Sequence, residues 1–298
     1  GHLAARIDPL GTPPAGDPSL DLSTYGLTEA DLAALPATIV GGPVAQGARN
    51  ALDAIRALRR IYSGTTGYEF EHLTDAEERD WLRFAIESGE YRDHLSRSEK
   101  LDLLRRLTEV EAFERFLHRT FVGQKRFSLE GTDLLVPMLD VLIGDAAMAG
   151  AREVVLGMTH RGRLNVLAHV LGKPYPQIFA EFHDPSRQMA VAPTEISDTG
   201  YTGDVKYHLG ARRAYVQGGG NTVDVTVTLA PNPSHLEFID PVVAGMTRAA
   251  QEDRYQHGRP LQRTDTAVAI LVHGDAAFPG EGVVAETLNL ASLYSYTT

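Results

Sequence analysis

The second half of the sequence alternates short apolar runs with segments of helical spacing, and this order constrains the fold more than any other feature. Glu153–Met158 is a short run rich in β-branched residues, and residues 163–171 after it have an amphipathic helical pattern that ends at Gly172. Residues 266–272 are almost continuously apolar, as in a strand buried on both faces, and residues 283–293 return to helical spacing. Strands that alternate with helices predict an α/β fold, a parallel sheet covered by helices.

The residues before this alternation have a different pattern. Residues 1–20 are rich in proline and glycine, which predicts an irregular lead-in. Residues 21–120 predict a helical region, with apolar residues at every third position across 52–61 and a stop signal at Gly64. Three pairs in this region are typical of capping boxes at helix starts: Thr74 with Glu77, Ser96 with Glu99, and Thr108 with Glu111. We interpret the region as a helical packing layer.

Composition excludes several classes of function. The chain has 298 residues, a formal net charge of −11 and no cysteine, so disulfides and thiolate metal sites are excluded. The lack of clustered Lys and Arg argues against a nucleic-acid partner. The sequence contains no apolar run of about 18 residues, so it predicts no membrane span. Its first residues do not have the pattern of a signal peptide. Because the chain starts at Gly1 and not at Met, we expect a fragment of a longer polypeptide.

Four segments with ionisable side chains lie near predicted strands. Residues 160–163, 231–237 and 273–277 follow apolar runs directly, and residues 203–208 precede a run at 223–229 that alternates Val and Thr. In doubly wound sheets, ligands bind outside the carboxyl ends of the strands. These segments are therefore the candidate functional residues.

Taken one at a time, the segments leave alternatives open. Arg161 and Arg163 beside a helix start suit a phosphate or carboxylate, but a solvated surface loop explains them equally well. His208 alone is a polar loop residue. It gains meaning only beside His160, because two imidazoles could orient and protonate a carbonyl substrate. Asp275 is well placed after a strand to hold Mg²⁺, although Gly-Asp is also common in turns.

The ordered set of motifs resembles the E1 component of 2-oxoglutarate dehydrogenase. The resemblance covers roughly residues 20–298, and the matching segments follow the family's order and spacing: 62–71, 115–118, 123–131, 158–167, 203–210, 232–237 and 273–290. Any one motif is modest evidence, whereas the ordered set is highly specific. The resemblance implies that this chain is the N-terminal portion of an E1 protein, with a thiamine diphosphate-binding fold preceded by a helical region.

The resemblance also implies roles for individual residues. His160 and His208 match the catalytic histidines that line the 2-oxo acid pocket, and Ser234 matches a further substrate-binding residue. The positions that match cofactor-binding residues are Arg161, Ser234, Leu236, Asp275, Ala276 and Ala277. Asp275 also matches the Mg²⁺ ligand.

The activity implied is oxidative decarboxylation of 2-oxoglutarate with thiamine diphosphate, followed by transfer of the succinyl group to a lipoyl-bearing E2 succinyltransferase in the tricarboxylic acid cycle. The full-length form is expected to be a homodimer, in the bacterial cytoplasm or, in a eukaryote, in the mitochondrial matrix. Two alternatives stay open. The substrate could be 2-oxoadipate, because one methylene changes binding by only ~1–3 kcal/mol, or the chain could be a non-catalytic fragment that serves as an interaction surface.

Two departures from the family pattern stand out. Glu281 replaces the usual Gln, and a carboxylate near a diphosphate is repelled unless it points away, so we expect it to face solvent. The chain ends at Thr298, before the strand with the Asn that also binds Mg²⁺ and before the domain whose glutamate activates the cofactor. We therefore expect residues 121–298 to form an incomplete first cofactor-binding α/β domain, and the chain alone to be inactive.

Overall fold

The structure is a computed structural model that describes residues 1–92, 95–182, 206–215, 225–255, 257–274 and 277–298. The described residues form two compact units, Gly1–Leu95 and Ser96–Thr298. Our division of the sequence at residues 20 and 120 stays a prediction. Among the described residues, no helix is both long and apolar enough to cross a bilayer.

The first unit is helical, with short turns before and between its helices. The helices are α1 (Glu29–Ala34), α2 (Gly42–Gln46), α3 (Ala51–Tyr62) and α4 (Ala76–Ser88). The predicted apolar spacing across residues 52–61 falls within α3. That helix begins after Asn50, whose side-chain oxygen accepts a hydrogen bond from the Asp53 N–H at 2.9 Å. The helix thus contains the predicted spacing, and Asn50 provides a cap that was not predicted.

The start of α4 differs from the prediction. Its N-cap is Asp75, whose carboxylate accepts hydrogen bonds from the N–H groups of Glu77 and Glu78. The predicted cap, Thr74, lies one residue too early. Asp is at least as good an N-cap as Thr, so the neighbouring carboxylate takes the role.

The second unit contains the sheet. Its helices are α5 (Arg97–Thr120), α6 (Leu135–Met148), α7 (Arg163–His169), α8 (Tyr175–Ala180), α9 (Ile239–Gln251), α10 (Ala277–Gly280) and α11 (Gly282–Leu290). Its strands are β1 (Glu153–Met158), β2 (Ala211–Tyr215), β3 (Val225–Leu229), β4 (Glu252–Asp253), β5 (Leu261–Gln262) and β6 (Ala267–Val272). The unit is α/β, as predicted.

The other two predicted capping boxes fall on α5, with opposite outcomes. Ser96 and Glu99 form a capping box at the start of the helix, as predicted. Thr108 lies in the helix interior, where its hydroxyl donates a hydrogen bond to the Leu104 carbonyl oxygen at 2.8 Å. The prediction of a helix start at Thr108 is wrong because a Thr side chain can satisfy itself inside a helix without ending it.

The main sheet has the strand order β2-β3-β1-β6. β1 is parallel to β3, with Leu156 opposite Leu229, and parallel to β6, with Leu156 opposite Ile270. The predicted parallel arrangement is therefore confirmed for these three strands. β2 is antiparallel to β3 and was not predicted from the sequence. β4 and β5 form a separate two-stranded antiparallel ladder.

Helices cover both faces of β1. Leu156 and its neighbours on one face pack into a large core with residues of α5, α6, α7 and β3. On the other face, Val155 packs against Ile239 and Val243 of α9. Gly157 allows α9 to approach closely, because a Cβ at this position would lie 2.8 Å from the Val243 Cγ2 atom.

Two expectations about burial are wrong. Residues 163–171 were expected to form an amphipathic helix, but residues 163–168 of α7 are all buried. β6 was expected to be buried on both faces, yet its residues alternate in exposure and Leu271 is 38% exposed. Apolar composition alone does not distinguish a central strand from one at the edge of the described sheet.

Candidate functional site

A tight turn after β1 carries His160 and the two arginines that follow it. Gly162 in this turn has φ +75°, and a Cβ there would lie 2.5 Å from the Leu129 Cδ1 atom. Its N–H donates a hydrogen bond to the Phe127 carbonyl oxygen at 2.9 Å. Glycine is required both by the backbone conformation and by this close packing. The turn is thereby fixed against the segment around Phe127.

The structure brings His160 and His208 together although 48 positions separate them in the sequence. Their ring centroids lie 4.9 Å apart, with the ring planes at 90°. The rings of Phe127 and Tyr207 lie 5.0 Å and 5.6 Å from the His160 ring. The two imidazoles therefore share a pocket with aromatic walls at the carboxyl end of β1.

The tautomer of His208 follows from its hydrogen bond to the backbone. Its Nδ1 atom lies 2.7 Å from the Asn232 carbonyl oxygen, which can only accept, so Nδ1 carries a proton. In the neutral imidazole, Nε2 is then the atom that accepts a proton. The backbone N–H of Asn232 donates in return to the His208 carbonyl oxygen at 3.3 Å.

Asn232 belongs to the site, but the sequence predicted no individual role for it and pointed only to the segment that contains it. It is buried, and its Nδ2 atom donates to the Met158 carbonyl oxygen at 3.0 Å. The signal that could have singled it out is its position between Pro231 and Pro233, which hold the flanking backbone extended. Asn232 links the end of β1 to the segment that holds His208.

Arg163 is fully buried and makes contact with three backbone carbonyls. Its guanidinium donates to the carbonyl oxygens of Met158 at 3.3 Å, Leu209 at 2.7 Å and Ala230 at 2.7 Å. Burial lowers the pKa of Arg163 to about 10, so it stays protonated at neutral pH. A solvated loop, one of the two interpretations of this arginine from the sequence, is therefore wrong for Arg163.

The Arg161 side chain lies at the surface, in contrast to the buried Arg163 side chain. It is exposed, and its Nη1 atom donates to the Ser128 carbonyl oxygen at 2.9 Å. The remaining donors of its guanidinium leave it able to bind an anion at the surface of the turn. Its predicted role near the cofactor stays a prediction.

A second cluster joins the end of β6 to the start of α9. The Nε2 atom of His273 lies 2.7 Å from Asp240 Oδ1, and its Nδ1 atom lies 3.8 Å from Glu237 Oε1. Burial raises the pKa of Asp240, and the hydrogen bond from His273 opposes this increase. The cluster places residues 273–274 beside the segment 231–237, so two of the predicted segments are neighbours.

The segment 231–237 borders an open cavity of about 740 Å³. Its lining residues are Pro231, Asn232, Pro233, Ser234, His235, Phe238, Ile239 and Val242. Ser234 is exposed in this cavity, whereas Leu236 is half-buried and begins a short 3-10 turn. Ala277 begins α10. Asp275, Ala276 and residues 203–205 lie outside the described residues.

The described residues contain no group of three or more His, Asp or Glu side chains that could hold a metal ion. The predicted Mg²⁺ site therefore depends on Asp275, outside the described part of the chain. Glu281 precedes α11 and is half-buried, and its side chain does not cap that helix. It is thus less exposed than expected from the sequence.

The sequence model of the dehydrogenase E1 component family matches residues 110–298, more than half of the chain. The chain belongs to this family. The matched region includes both histidines of the pocket, Arg163 and the whole segment around Asn232.

Three curated relatives show how this E1 chain compares with others, and all are called 2-oxoglutarate dehydrogenase E1 component. The protein of Geobacillus sp. (strain WCH70) is 54% identical over 100% of this chain. That of Bacillus subtilis (strain 168) is 53% identical over 99%, and that of Bacillus mycoides (strain KBAB4) is 50% identical over 100%. The matched part is 31%, 31% and 30% of each relative, so this chain spans about a third of their length.

Proposed function

We propose that this chain is part of a 2-oxoglutarate dehydrogenase E1 enzyme, which uses thiamine diphosphate and transfers a succinyl group to the lipoyl group of an E2 succinyltransferase. The observation that carries the proposal is the His160–His208 pair, at 4.9 Å between ring centroids, in a chain of the E1 family. The names of the relatives support 2-oxoglutarate as the substrate. A homodimer in the bacterial cytoplasm is part of the proposal.

The histidine pair can bind and protonate a 2-oxo acid. With Nδ1 of His208 held by the Asn232 carbonyl oxygen, its Nε2 atom is the one that exchanges a proton with the substrate. A protonated imidazole attracts a carboxylate or the negative charge that develops on a carbonyl oxygen. The rings of Phe127 and Tyr207 beside His160 lower the polarity around its imidazole, which strengthens these interactions.

The cavity beside Ser234 supports a place for the ring portion of thiamine diphosphate. Its volume of about 740 Å³ lies within the range of roughly 300–1,000 Å³ typical of ligand pockets. Phe238, Ile239 and Val242 give it an apolar wall for a ring, and the Ser234 hydroxyl provides a polar group. When bound, thiamine diphosphate supplies the electron sink for loss of CO₂. We propose Asp275 as a ligand of the accompanying Mg²⁺.

The test is His208→Ala in a full-length polypeptide that carries this segment, with 2-oxoglutarate and 2-oxoadipate as substrates. Loss of a general acid-base group is expected to lower kcat/KM at least ~100-fold. His72→Ala, at an exposed position of the first unit, is the control and should stay within about threefold of the unchanged enzyme. A His208→Ala enzyme with unchanged kcat/KM would contradict the proposal, and a preference for 2-oxoadipate would correct the substrate.

A further inference from the structure

We propose that Arg163 is a positioning residue that sets the separation of the His160 and His208 imidazoles. The proposal rests on the function proposed above, in which these two side chains act on the same substrate. Arg163 is fully buried and therefore acts through the backbone segments that it holds.

The three carbonyls that Arg163 holds belong to the three segments that build the pocket. Met158 lies two residues before His160, Leu209 directly follows His208, and Ala230 lies two residues before Asn232. The backbone N–H of Arg163 also donates to the His160 carbonyl oxygen at 3.1 Å. One guanidinium thus fixes the relative positions of both histidines and of the residue that orients His208.

The shape of the side chain explains why arginine occupies this position. Its planar fork presents several N–H donors in fixed directions, so one side chain reaches three carbonyls at once, which an ammonium group does less well. Within the described residues, no carboxylate forms an ion pair with Arg163, and the lowered pKa of its guanidinium is due to burial. A buried cation without a carboxylate is a costly way to stabilise a fold. The geometry that the fork imposes accounts for its presence.

Arg106 provides a matched control. It also binds through a fork, with Nε and Nη2 at 2.7 and 3.1 Å from the Asp140 carboxylate, and Nη2 donates to the His169 carbonyl oxygen at 2.7 Å. It links α5, α6 and α7 but contacts none of the three segments around the pocket in these hydrogen bonds. Loss of Arg106 therefore removes a fork of similar kind without releasing either histidine of the pair.

The experiment measures the geometry of the imidazole pair directly. In the chain labelled with ¹³C at histidine, the nuclear Overhauser cross-peak between the rings of His160 and His208 is recorded for Arg163→Met, Arg163→Lys and Arg106→Met. We expect the cross-peak to fall at least threefold in both Arg163 variants and to persist in Arg106→Met. Arg163→Lys keeps the charge and loses the fork, and it provides the measurement if Arg163→Met does not fold. A cross-peak of unchanged intensity in Arg163→Lys would overturn the proposal.

Turnover by the full-length polypeptide gives the second readout. A displacement of about 1 Å costs on the order of 100-fold in rate, so kcat/KM should fall by that factor in the Arg163 variants and less than threefold in Arg106→Met. If kcat/KM falls equally in the Arg163 and Arg106 variants, Arg163 has only a structural role and the proposal is wrong. If the unchanged polypeptide does not turn over 2-oxoglutarate while the cross-peak still depends on Arg163, the proposed function fails and the positioning role stands.

Discussion

The two units of the molecule bury different kinds of side chain. In Gly1–Leu95 the buried hydrophobic residues among those described are mostly small: Ala5, Leu32, Ala37, Ala51, Ala54 and Phe70. In Ser96–Thr298 a large cluster of Val, Leu, Ile and Phe surrounds buried polar residues such as Arg163 and Asn232, which are bonded to distant backbone. The first unit thus presents caps and exposed ion pairs, whereas the second buries polar side chains whose hydrogen bonds reach residues distant in sequence.

The largest expected effect tests the core of the second unit. Leu156→Ala removes a fully buried side chain in the central part of the sheet, and the lost burial plus the cavity should lower the free energy of unfolding by about 3–4 kcal/mol. Circular dichroism follows this transition, while fluorescence of Trp81, the sole tryptophan of the chain, follows the first unit. An equal shift of both signals would show that the two units unfold together, against the comparison.

A smaller loss of stability is expected when alanine replaces two glycines that have left-handed backbone. Comparing the two separates the cost of backbone strain from the cost of close packing. Gly162 and Gly89 have φ of +75° and +70°. An added Cβ at Gly162 would lie 2.5 Å from the Leu129 Cδ1 atom, whereas one at Gly89 would lie 3.8 Å from the Cδ atom of the flexible Arg92 side chain. Left-handed backbone costs an Ala roughly 1–2 kcal/mol, so Gly89→Ala should lose about 1 kcal/mol and Gly162→Ala about 2–3 kcal/mol. Chemical denaturation measures both, and equal losses would mean that Leu129 yields freely.

An effect smaller than those expected at Leu156 and Gly162 is a pH dependence in the second unit. Burial lowers the pKa of His169 from its ordinary 6.5 to about 4. Between these values the unfolded state takes up the proton first, so the contribution to stability is complete above pH 6.5 and is lost as the pH falls towards 4. The ring is partly exposed, which limits the contribution to about 1–2 kcal/mol.

In His169→Gln, the free energy of unfolding of the second unit should fall by about 1–2 kcal/mol less between pH 6.5 and 4 than in the unchanged chain. The described histidines of the first unit, His2 and His72, are exposed, so the pH dependence of the Trp81 transition should not change. A slope that is the same with and without His169 would mean that its surroundings in solution are more polar than its contacts with Asn165 and Tyr175 indicate.

Features that depend on neighbouring residues could be predicted from the sequence. The spacing that defines α3, the capping box at Ser96 and the apolar runs of β1 and β6 are local patterns, and all of them appear in the structure. β2 was missed because its sequence, Ala-Arg-Arg-Ala-Tyr, lacks the alternation of apolar and polar residues.

Only part of the candidate site could be predicted from the sequence. Order and spacing of motifs pointed to His160 and His208, and the structure places their rings in contact. The roles of Arg163 and Asn232 could not be predicted, because their partners are backbone carbonyls: Arg163 contacts Leu209 and Ala230, 46 and 67 positions away, and Asn232 contacts Met158, 74 positions away. Every residue has a backbone carbonyl, so neither composition nor motif spacing shows which carbonyl a side chain will contact.

The edge of the sheet at β6 has a practical consequence for anyone who purifies this chain. Among the described residues β6 pairs only with β1, and the Gln251 side chain donates to the Ala267 carbonyl oxygen at the start of the strand. No other described strand covers the side of β6 that lies away from β1, beside Ile270 and Leu271. Such an apolar edge is a template for strand addition between molecules. We therefore expect the chain to be lost from solution faster as its concentration rises. We expect a charge on the exposed side of the strand, as in Ala269→Lys, to slow this loss.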